Sequence, residues 1–300
     1  MTEGTCIIGI VGCGIIGESW ARAFLASNHK VVVFDHAIDD ETLENRLNSL
    51  VGGASGRFSV ARDLAGLSEC GYVQESIAED PAKKRALFAE LDQILPEETV
   101  IASSTSALCM SDLAFDLEGR SRFVVAHPAS PPHALPAVEI VPAPFTVPET
   151  ISRTETLLRG IGQSPVRINR EISGFAMNRL QGALLLEMIT LIRDGVVSPE
   201  GADTLIRDAF GMRWSILGPL EGVHLNAPGG IADYFTRYAT MFEEFCPKDT
   251  CLEDILKPDV LEALQRYCID RSPLEQATES RAARDRALLG LRAWREEIDL

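Results

Sequence analysis

Residues 6–35, CIIGIVGCGIIGESWARAFLASNHKVVVFD, decide the fold of this chain. Two apolar runs flank a helix-like stretch; the first leads into GCGIIG at 12–17 and the second ends in Asp35. A strand before the glycines, a helix after them and an acid at the tip of the next strand are what a dinucleotide-binding βαβ unit requires. The alternative, a glycine turn in another kind of α/β protein, accounts for the glycines but not for their context.

The three glycines and the acid have separate tasks. Gly12 permits a tight turn, Gly14 lets a pyrophosphate approach the backbone and Gly17 allows helix and strand to pack closely. The pyrophosphate then faces free N–H groups at the positive end of the helix. Asp35 can accept hydrogen bonds from the adenosine ribose and would repel the 2′-phosphate of NADP, for which residues 36–41 supply no arginine. We therefore predict NAD as the cofactor. The residues assigned to it are Gly12, Gly14, Ile15, Ile16, Gly17 and Asp35.

The composition predicts a globular protein that does not bind polyanions. The 300 residues suffice for two domains with separate cores. A net charge of −16 argues against partners such as nucleic acid or an anionic membrane surface. No apolar run reaches the length of a membrane span. Lysine is scarce, so a small anionic substrate fits better than a coenzyme A ester, which would need a cluster of cations.

The seven cysteines indicate a reducing compartment. Their number is odd and their spacing shows no paired metal ligands, so we interpret them as reduced thiols in a cytoplasmic protein and predict no metal. Residues 1–11 lack the basic region of a signal peptide. A metal or redox pair formed by Cys246 and Cys251 stays open, although no second pair supports it.

Two patterns divide the chain. Up to about residue 168, short apolar runs alternate with helix-like segments, which predicts a Rossmann-type, doubly wound, mostly parallel sheet. The strand signal then ends, so we predict an NAD-binding domain over 1–170 and an all-helical substrate and dimerisation domain over 174–300. The predicted strands are 6–11, 31–34, 72–74, 100–102, 123–126, 137–141 and a run near 165–168. The predicted helices are 15–27, 40–50, 81–94, 148–161, 175–194, 199–209, 230–245, 252–266 and 280–296.

A histidine directly follows one predicted strand, in VVAHP at 124–128. Because the carboxyl ends of strands face the ligand crevice of such a sheet, His127 should point at the nicotinamide. Glu139 lies within an apolar run, where a carboxylate needs a partner. Pairing would fix the tautomer of His127 and raise its basicity, as general base chemistry requires. A structural histidine with a strand-end glutamate is the open alternative, and His133 is the rival base.

These motifs, taken together, resemble those of a known family. They occur in this order: Gly12–Gly17 with Asp35, SSTS at 103–106, AHP at 126–128, Glu139, and GFAMNRL at 174–180. The chain is thereby identified as a member of the 3-hydroxyacyl-CoA dehydrogenase superfamily. Further motifs resemble its lambda-crystallin and L-gulonate 3-dehydrogenase branch. They are IGQSPV at 161–166, GMRW at 211–214, Gly218-Pro219 and HLN at 224–226. The similarity covers at least residues 6–240.

The resemblance implies roles for individual residues. His127 corresponds to the family's base, Glu139 to the carboxylate that orients it, Ser106 to the serine that hydrogen-bonds the substrate oxygen, and Asn178 to the asparagine that holds and polarises the reacting carbonyl. From the residues alone, Ser106 could be a helix cap and Asn178 an interhelical hydrogen-bond partner. The resemblance adds Glu79 and Lys84 on the nicotinamide side, together with Ser104, to the cofactor residues.

The resemblance predicts an NAD-dependent oxidoreductase that oxidises the 3-hydroxyl of a small L-3-hydroxy acid, with L-gulonate the best-guess substrate. A free carboxylate needs a cation, for which Arg213 is the candidate; a surface or interface salt bridge is its alternative role. The short, acidic segment between Asp35 and Tyr72 argues against a CoA thioester. Ser130 stands where many relatives carry asparagine, which leaves substrate preference open. The resemblance also implies a homodimer through the C-terminal domain.

Three alternatives to this function remain. The first is an L-3-hydroxyacyl-CoA (3-hydroxybutyryl-CoA) dehydrogenase, and the second is an L-carnitine dehydrogenase. The third belongs to a different class, a non-catalytic, crystallin-like NAD-binding protein. Every position of the predicted machinery holds a residue able to do its task, which favours an enzyme.

Overall fold

The structure, a computed structural model, describes residues 6–50, 57–245 and 258–298. It divides into two compact units, residues 1–185 and 186–300. Cys246, Cys251 and the start of the helix predicted over 252–266 lie outside the described residues. The predicted domain boundary at residues 170–174 stays a prediction.

In the described part of the first unit, eight strands form one sheet in the order β3-β2-β1-β4-β5-β6-β7-β8. All neighbours are parallel except the antiparallel pair β6 and β7. This arrangement confirms the Rossmann-type, mostly parallel sheet. The strands are β1 (Ile7–Val11), β2 (Lys30–Phe34), β3 (Phe58–Val60), β4 (Tyr72–Glu75), β5 (Val100–Ser103), β6 (Phe123–Pro128), β7 (Ala137–Val141) and β8 (Ser164–Arg167).

Helices cover both faces of this sheet, as parallel strands require. Their starts follow from local chemistry: Pro81 occupies the first turn of its helix, and the Asp80 carboxylate accepts from the next free N–H groups, those of Ala82 and Lys83. The helices that begin in this unit are α1 (Ile15–Ala26), α2 (Asp40–Leu50), α3 (Pro81–Ile94), α4 (Met110–Leu113), α5 (Pro148–Gly160) and α6 (Met177–Arg193).

Two apolar clusters, one on each face, form the core of the first unit. The first cluster includes Trp20 and Phe24 of α1 together with Leu158 of α5, all fully buried. The second includes Phe88 of α3 and Phe123 of β6, whose ring centroids are 5.4 Å apart. Alternate residues of the central strands point into one cluster or the other, which explains why these strands are apolar without interruption.

Strand β3 was not predicted from the sequence. Its three residues pair with β2 at the edge of the sheet, and Ser59 is exposed. Three residues, of which only Phe58 and Val60 are partly buried, are too few for a period to identify a strand. The remaining strands agree with the predicted ones to within two residues at each end.

The second unit is helical where it is described. The predicted helix 199–209 is α7 (Pro199–Thr204) followed by a π-helical turn, Leu205–Gly211, and the predicted helix 230–245 is divided at Tyr238. The other helices are α8 (Met212–Trp214), α9 (Pro219–His224), α10 (Gly230–Arg237), α11 (Ala239–Phe245), α12 (Pro258–Arg271) and α13 (Ala277–Glu297). Among the described residues, no helix combines the length and the apolar character that crossing a bilayer requires.

A buried histidine organises part of the second unit. His224 is fully buried, its Nδ1 accepts from the N–H of Ile231, and its Nε2 donates to the carbonyl of Ser272 at 3.0 Å. Gly230 has φ +76, and a Cβ there would lie 2.7 Å from the His224 ring. His224 therefore connects three segments of this unit through the backbone.

Candidate active site

The glycine loop between β1 and α1 has an open and a closed part. Gly12 has φ +86, and a Cβ on it would lie 2.8 Å from the carbonyl oxygen of Ser76. A Cβ on Gly17 would lie only 1.8 Å from the carbonyl oxygen of Gly12. At Gly14, by contrast, no described atom lies within 4 Å of an added Cβ. The loop therefore closes on the sheet at two glycines and is open at the third.

This opening fits a dinucleotide pyrophosphate. Gly14 precedes α1, and no described side chain caps the N-terminal N–H groups of that helix. Ile15 and Ile16 form its first turn, so their backbone faces the same opening. A helix N-terminus with free donors attracts an anion. The residues present therefore fit the diphosphate of NAD.

Asp35 lies at the end of β2, next to this loop. Its Oδ2 accepts from the N–H of Cys13 at 2.6 Å, and its Oδ1 accepts from the N–H of Ala37 at 2.8 Å. Burial and the neighbouring carboxylates of Glu18 and Asp35 raise the pKa of the Cys13 thiol to about 12, so the thiol stays neutral beside the carboxylate. The carboxylate is thus oriented before a ribose arrives.

A cavity of about 780 Å³ extends from the ends of β1 and β2, lined among others by Val11, Phe34 and Leu87. Arg62 and Lys83 also border it. Neither cation was predicted to lie there, because Arg62 and Lys83 come from segments outside residues 36–41, the stretch that directly follows Asp35. No local sequence signal could have placed them there.

His127 and Glu139 are brought together across the antiparallel pair β6 and β7, where they are register partners. Both side chains are buried, and His127 Nδ1 lies 2.8 Å from Glu139 Oε2. The other carboxylate oxygen, Oε1, accepts from the N–H groups of Ala176 and Met177 at 2.8 and 2.9 Å. A carboxylate with these partners orients the imidazole with Nδ1 as donor, which leaves Nε2 free to accept a proton.

The hydrogen bonds that Glu139 accepts lower its pKa by more than its burial raises it. Burial opposes the charged form, yet the bonds from His127, Met177 and Ala176 hold the pKa of this carboxyl below its usual range. Glu139 is therefore ionised at neutral pH and can offset a positive charge on the imidazole. His133, the rival base, is exposed, and its Nδ1 lies 2.7 Å from Ser19 Oγ.

A second cavity, of about 410 Å³, has His127 in its wall. Ser106 and Asn178 line the same cavity, and Asn178 Nδ2 donates to the carbonyl oxygen of Ser106 at 2.7 Å. Three of the four predicted catalytic residues therefore border one space, with Glu139 behind His127. Of the described residues lining it, none is an aspartate, glutamate, lysine or arginine; the polar ones besides His127 are Ser104, Ser106, Ser130, Asn178 and Gln181.

Lys84 lies beneath the cavity wall and is not part of its surface. Its side chain is buried, and its Nζ lies 2.6 Å from Glu75 Oε1 and 3.4 Å from Glu79 Oε2. Glu79 Oε1 in turn accepts from Thr105 Oγ1 at 2.5 Å and from the N–H of Ser106 at 2.9 Å. Lys84 thus orients Glu79, and Glu79 fixes the segment that carries Ser106.

The charge on Glu79 is maintained by these partners. Although burial opposes the charged form, hydrogen bonds from Thr105 and Ser106, together with the nearby ammonium of Lys84, lower the pKa of Glu79. The roles of Glu79 and Lys84 on the nicotinamide side stay predictions.

Ser104 is the centre of a polar network. Its Oγ accepts from Trp20 Nε1 at 3.2 Å and from Gln74 Nε2 at 2.8 Å. Because a hydroxyl has two acceptor sites and one donor, Ser104 must donate to Ser76 Oγ, which lies 2.8 Å away. Ser76 was missed by the sequence analysis, and the single signal for it is its position directly after β4, where the strand ends meet the crevice.

Arg213 lies in the second unit, in α8. Its guanidinium stacks over the ring of Phe210, 5.5 Å from the ring centroid. Its role as the partner of a substrate carboxylate stays a prediction. Within the described ranges, no group of three or more His, Cys, Asp or Glu side chains could hold a metal ion.

Two family models match the chain. The NAD-binding domain of 3-hydroxyacyl-CoA dehydrogenase matches residues 7–172, and its C-terminal domain matches residues 174–263. The chain therefore belongs to the 3-hydroxyacyl-CoA dehydrogenase family, whose members are NAD-dependent oxidoreductases, and NAD is its cofactor.

Individual relatives agree with this assignment. The lambda-crystallin homolog of Homo sapiens is 38% identical over 251 residues, which cover 78% of this chain and 78% of the relative. An L-carnitine dehydrogenase of Bacillus cereus is 35% identical over 250 residues, covering 79% of this chain and 75% of the enzyme. A solved 3-hydroxyacyl-CoA dehydrogenase from Archaeoglobus fulgidus has the same fold, with a TM-score of 0.77, 24% identity and coverage of 96% and 99% of the two chains. The resemblance to the lambda-crystallin branch is confirmed.

Proposed function

We propose that this protein oxidises the 3-hydroxyl group of a small L-3-hydroxy acid, with L-gulonate as the preferred substrate. The observation that carries the proposal is the buried His127–Glu139 pair in the wall of a cavity whose other polar lining is neutral. Hydroxyl and amide groups hydrogen-bond a polyhydroxylated chain well, whereas an acyl chain would leave them without partners.

NAD, when bound, would supply the hydride acceptor. The loop formed by Gly12, Gly14 and Gly17, open at Gly14, and the first turn of α1 would hold its diphosphate, and Asp35 would hold its ribose. Ser104 and Glu79 would line the nicotinamide side, with the buried Lys84 orienting Glu79. Two observations support this placement: the space beside Gly14 is open, and the N–H of Cys13 orients the Asp35 carboxylate.

The substrate alcohol loses its proton to His127. In the resting site, Nδ1–H donates to Glu139, so the free lone pair of Nε2 is available for that proton. Glu139, ionised at neutral pH, stabilises the imidazolium. Ser106 and Asn178 donate hydrogen bonds to the substrate oxygen as its negative charge grows. Arg213 holds the substrate carboxylate.

The protein is further proposed to be a cytoplasmic homodimer that contacts its copy through the C-terminal domain. The exposed apolar side chains of α6 support this proposal: Leu186 is 69% exposed and Ile189 is 60% exposed. Exposed apolar residues clustered on one helix are typical of an interface. Sedimentation velocity on the wild type and on Leu186→Glu tests it, because the variant should shift from dimer to monomer.

A second candidate function is oxidation of an L-3-hydroxyacyl-CoA, the chemistry that the matching family models name. NADH formation at 340 nm should be compared for L-gulonate, L-3-hydroxybutyrate, L-carnitine and L-3-hydroxybutyryl-CoA, each with the wild type and with His127→Asn. Gulonate turnover that is lost in the variant supports the proposal. A preference for the CoA ester would overturn gulonate oxidation in favour of the second candidate function. NAD binding without turnover of any substrate would favour the non-catalytic alternative.

A further inference from the structure

A strained aromatic residue lies next to the catalytic pair. Gly174 and Phe175 precede α6 with φ values of +74 and +48. In the described chain, the other non-glycine residue with positive φ is Asn28, a residue type that tolerates this conformation. A bulky residue in the left-handed region is held there by its surroundings, and such strain clusters at functional sites. Phe175 is also fully buried.

The backbone of this turn reaches one partner of the pair. The two positive φ values reverse the chain, so that the next two N–H groups, those of Ala176 and Met177, both donate to Glu139 Oε1. The turn thereby holds the carboxylate through the oxygen that His127 does not contact.

The ring of Phe175 reaches the other partner. Its centroid lies 5.6 Å from that of the His127 imidazole, with the planes inclined at 55°, a favourable geometry for two rings in contact. The same ring belongs to the apolar cluster that contains Phe88 and Phe123. The packed core thus supports the wall against which His127 lies.

We propose that Phe175 is a positioning residue that holds the His127 imidazole on Glu139, so that Nδ1 donates and Nε2 faces the cavity. This inference rests on the proposed role of His127 as the base. Without the ring, the imidazole can rotate about its side-chain bonds, and the hydrogen bond to Glu139 is no longer enforced. Misplacement of a catalytic group by about 1 Å is enough to lower turnover by about 100-fold.

The test compares Phe175→Leu with Phe88→Leu. Both changes remove a fully buried ring from the same apolar cluster, but Phe88 packs on Phe123 and not on His127. With ¹⁵N-labelled histidine, the ring-nitrogen shifts report the tautomer without any substrate, and His127→Asn assigns the signals among the five histidines. The pH profile of kcat/KM and the KM for NAD are measured in parallel.

We expect the wild type to show a single His127 tautomer with the proton on Nδ1. Phe175→Leu should show a mixture of tautomers, a kcat about 10- to 100-fold lower, a displaced acidic limb of the pH profile and an unchanged KM for NAD. Phe88→Leu should keep the wild-type tautomer and profile although its stability falls. Phe175→Tyr, which retains the ring, should restore the tautomer.

Two results would overturn the proposal. One is a mixed tautomer of His127 in the wild type, and the other is a Phe175→Leu protein whose nitrogen shifts and pH profile match those of Phe88→Leu. Phe175→Met removes the ring while filling most of its volume, and it serves in the same comparison if Phe175→Leu does not fold. Should the wild type turn over no tested substrate, the proposed function fails, whereas the nitrogen shifts still test Phe175.

Discussion

Glu139 divides its two oxygens between a side chain and the backbone. Oε2 accepts from His127 and Oε1 from two N–H groups. A carboxylate can accept at both oxygens, but an amide has a donor in place of one acceptor. The identity of this single residue therefore determines which nitrogen of His127 carries the proton.

Glu139→Gln should lower kcat about 10²- to 10⁴-fold. The amide oxygen will accept from Ala176 and Met177, so its NH₂ group faces Nδ1 of His127 and places the imidazole proton on Nε2, where it blocks the base. Steady-state NADH formation with the best substrate measures the effect. Glu155→Gln is the matched control, because Glu155 is also a buried glutamate but pairs with Arg167; equal losses in both variants would contradict this interpretation.

Glu139 should also make stability depend on pH. Its folded-state pKa is lowered, with hydrogen bonds outweighing burial, so its contribution is present above the unfolded-state value of about 4.3 and is lost as pH falls through the folded-state pKa. The difference in free energy of unfolding between wild type and Glu139→Gln should shrink as pH falls from about 6 to about 3. Urea denaturation followed by the fluorescence of the three tryptophans, of which Trp20 is fully buried, measures it. A pH-independent difference would refute the prediction.

At the scale of the element, two glycines of the β1–α1 turn that look alike in the sequence have different surroundings. Gly17 is enclosed by the carbonyl of Gly12, whereas Gly14 faces open space. Gly17 is therefore required for close packing, whereas Gly14 leaves the space in which we propose that the diphosphate binds. The same turn exposes the N-terminus of α1 to that ligand.

Gly14→Ala and Gly17→Ala should separate these tasks. Gly14 has φ −72, which alanine adopts freely, so the first variant should fold normally but bind NAD on the order of tenfold more weakly, about 1.4 kcal/mol. Gly17→Ala should lose about 3 kcal/mol of stability. Isothermal titration with NAD and thermal unfolding measure the two effects. Wild-type NAD affinity in Gly14→Ala would show that the diphosphate does not lie there.

At the scale of the whole molecule, charge is the dominant property. The chain carries 44 acidic and 28 basic residues, so its surface repels itself at low ionic strength. Ion pairs inside the units, such as Lys84 with Glu75, are local and do not change this balance. Each unit has its own helices and its own buried groups, His224 being the example in the second.

Raising NaCl from about 10 mM to about 300 mM should therefore stabilise the protein, since the screening length falls from about 30 Å at 0.01 M to about 10 Å at 0.1 M and shorter still above it. We expect a gain of about 1 kcal/mol, or roughly 2–4 °C in Tm. Differential scanning fluorimetry measures it at constant pH. A lower Tm in salt would mean that attractive ion pairs dominate over net repulsion.

Much of the first unit follows from local patterns. Uninterrupted apolar runs mark the buried parallel strands, and the glycine spacing with Asp35 marks the cofactor turn, since both depend on residues close together in the chain. Strand β3 was not predicted because its three residues are too few to show a period. The positions of Arg62 and Lys83 in the cavity wall and of Ser76 in the polar network were not predicted, because these residues come from different segments of the chain.

The sequence by itself determined the Rossmann-type sheet, NAD as cofactor and the candidates His127 and Glu139, because periodicity, turn chemistry and the burial cost of a lone carboxylate are properties of short stretches. The resemblance of its motifs to those of known proteins identified the family. Only the tertiary structure decided that Lys84 lies beneath Glu79, and that Phe175 packs on His127 while the following N–H groups hold Glu139. The contacts of Phe175 and of these N–H groups join residues tens of positions apart, and the Lys84–Glu79 ion pair joins a helix to the loop before it, so all of them depend on how side chains and elements pack, which no local pattern records.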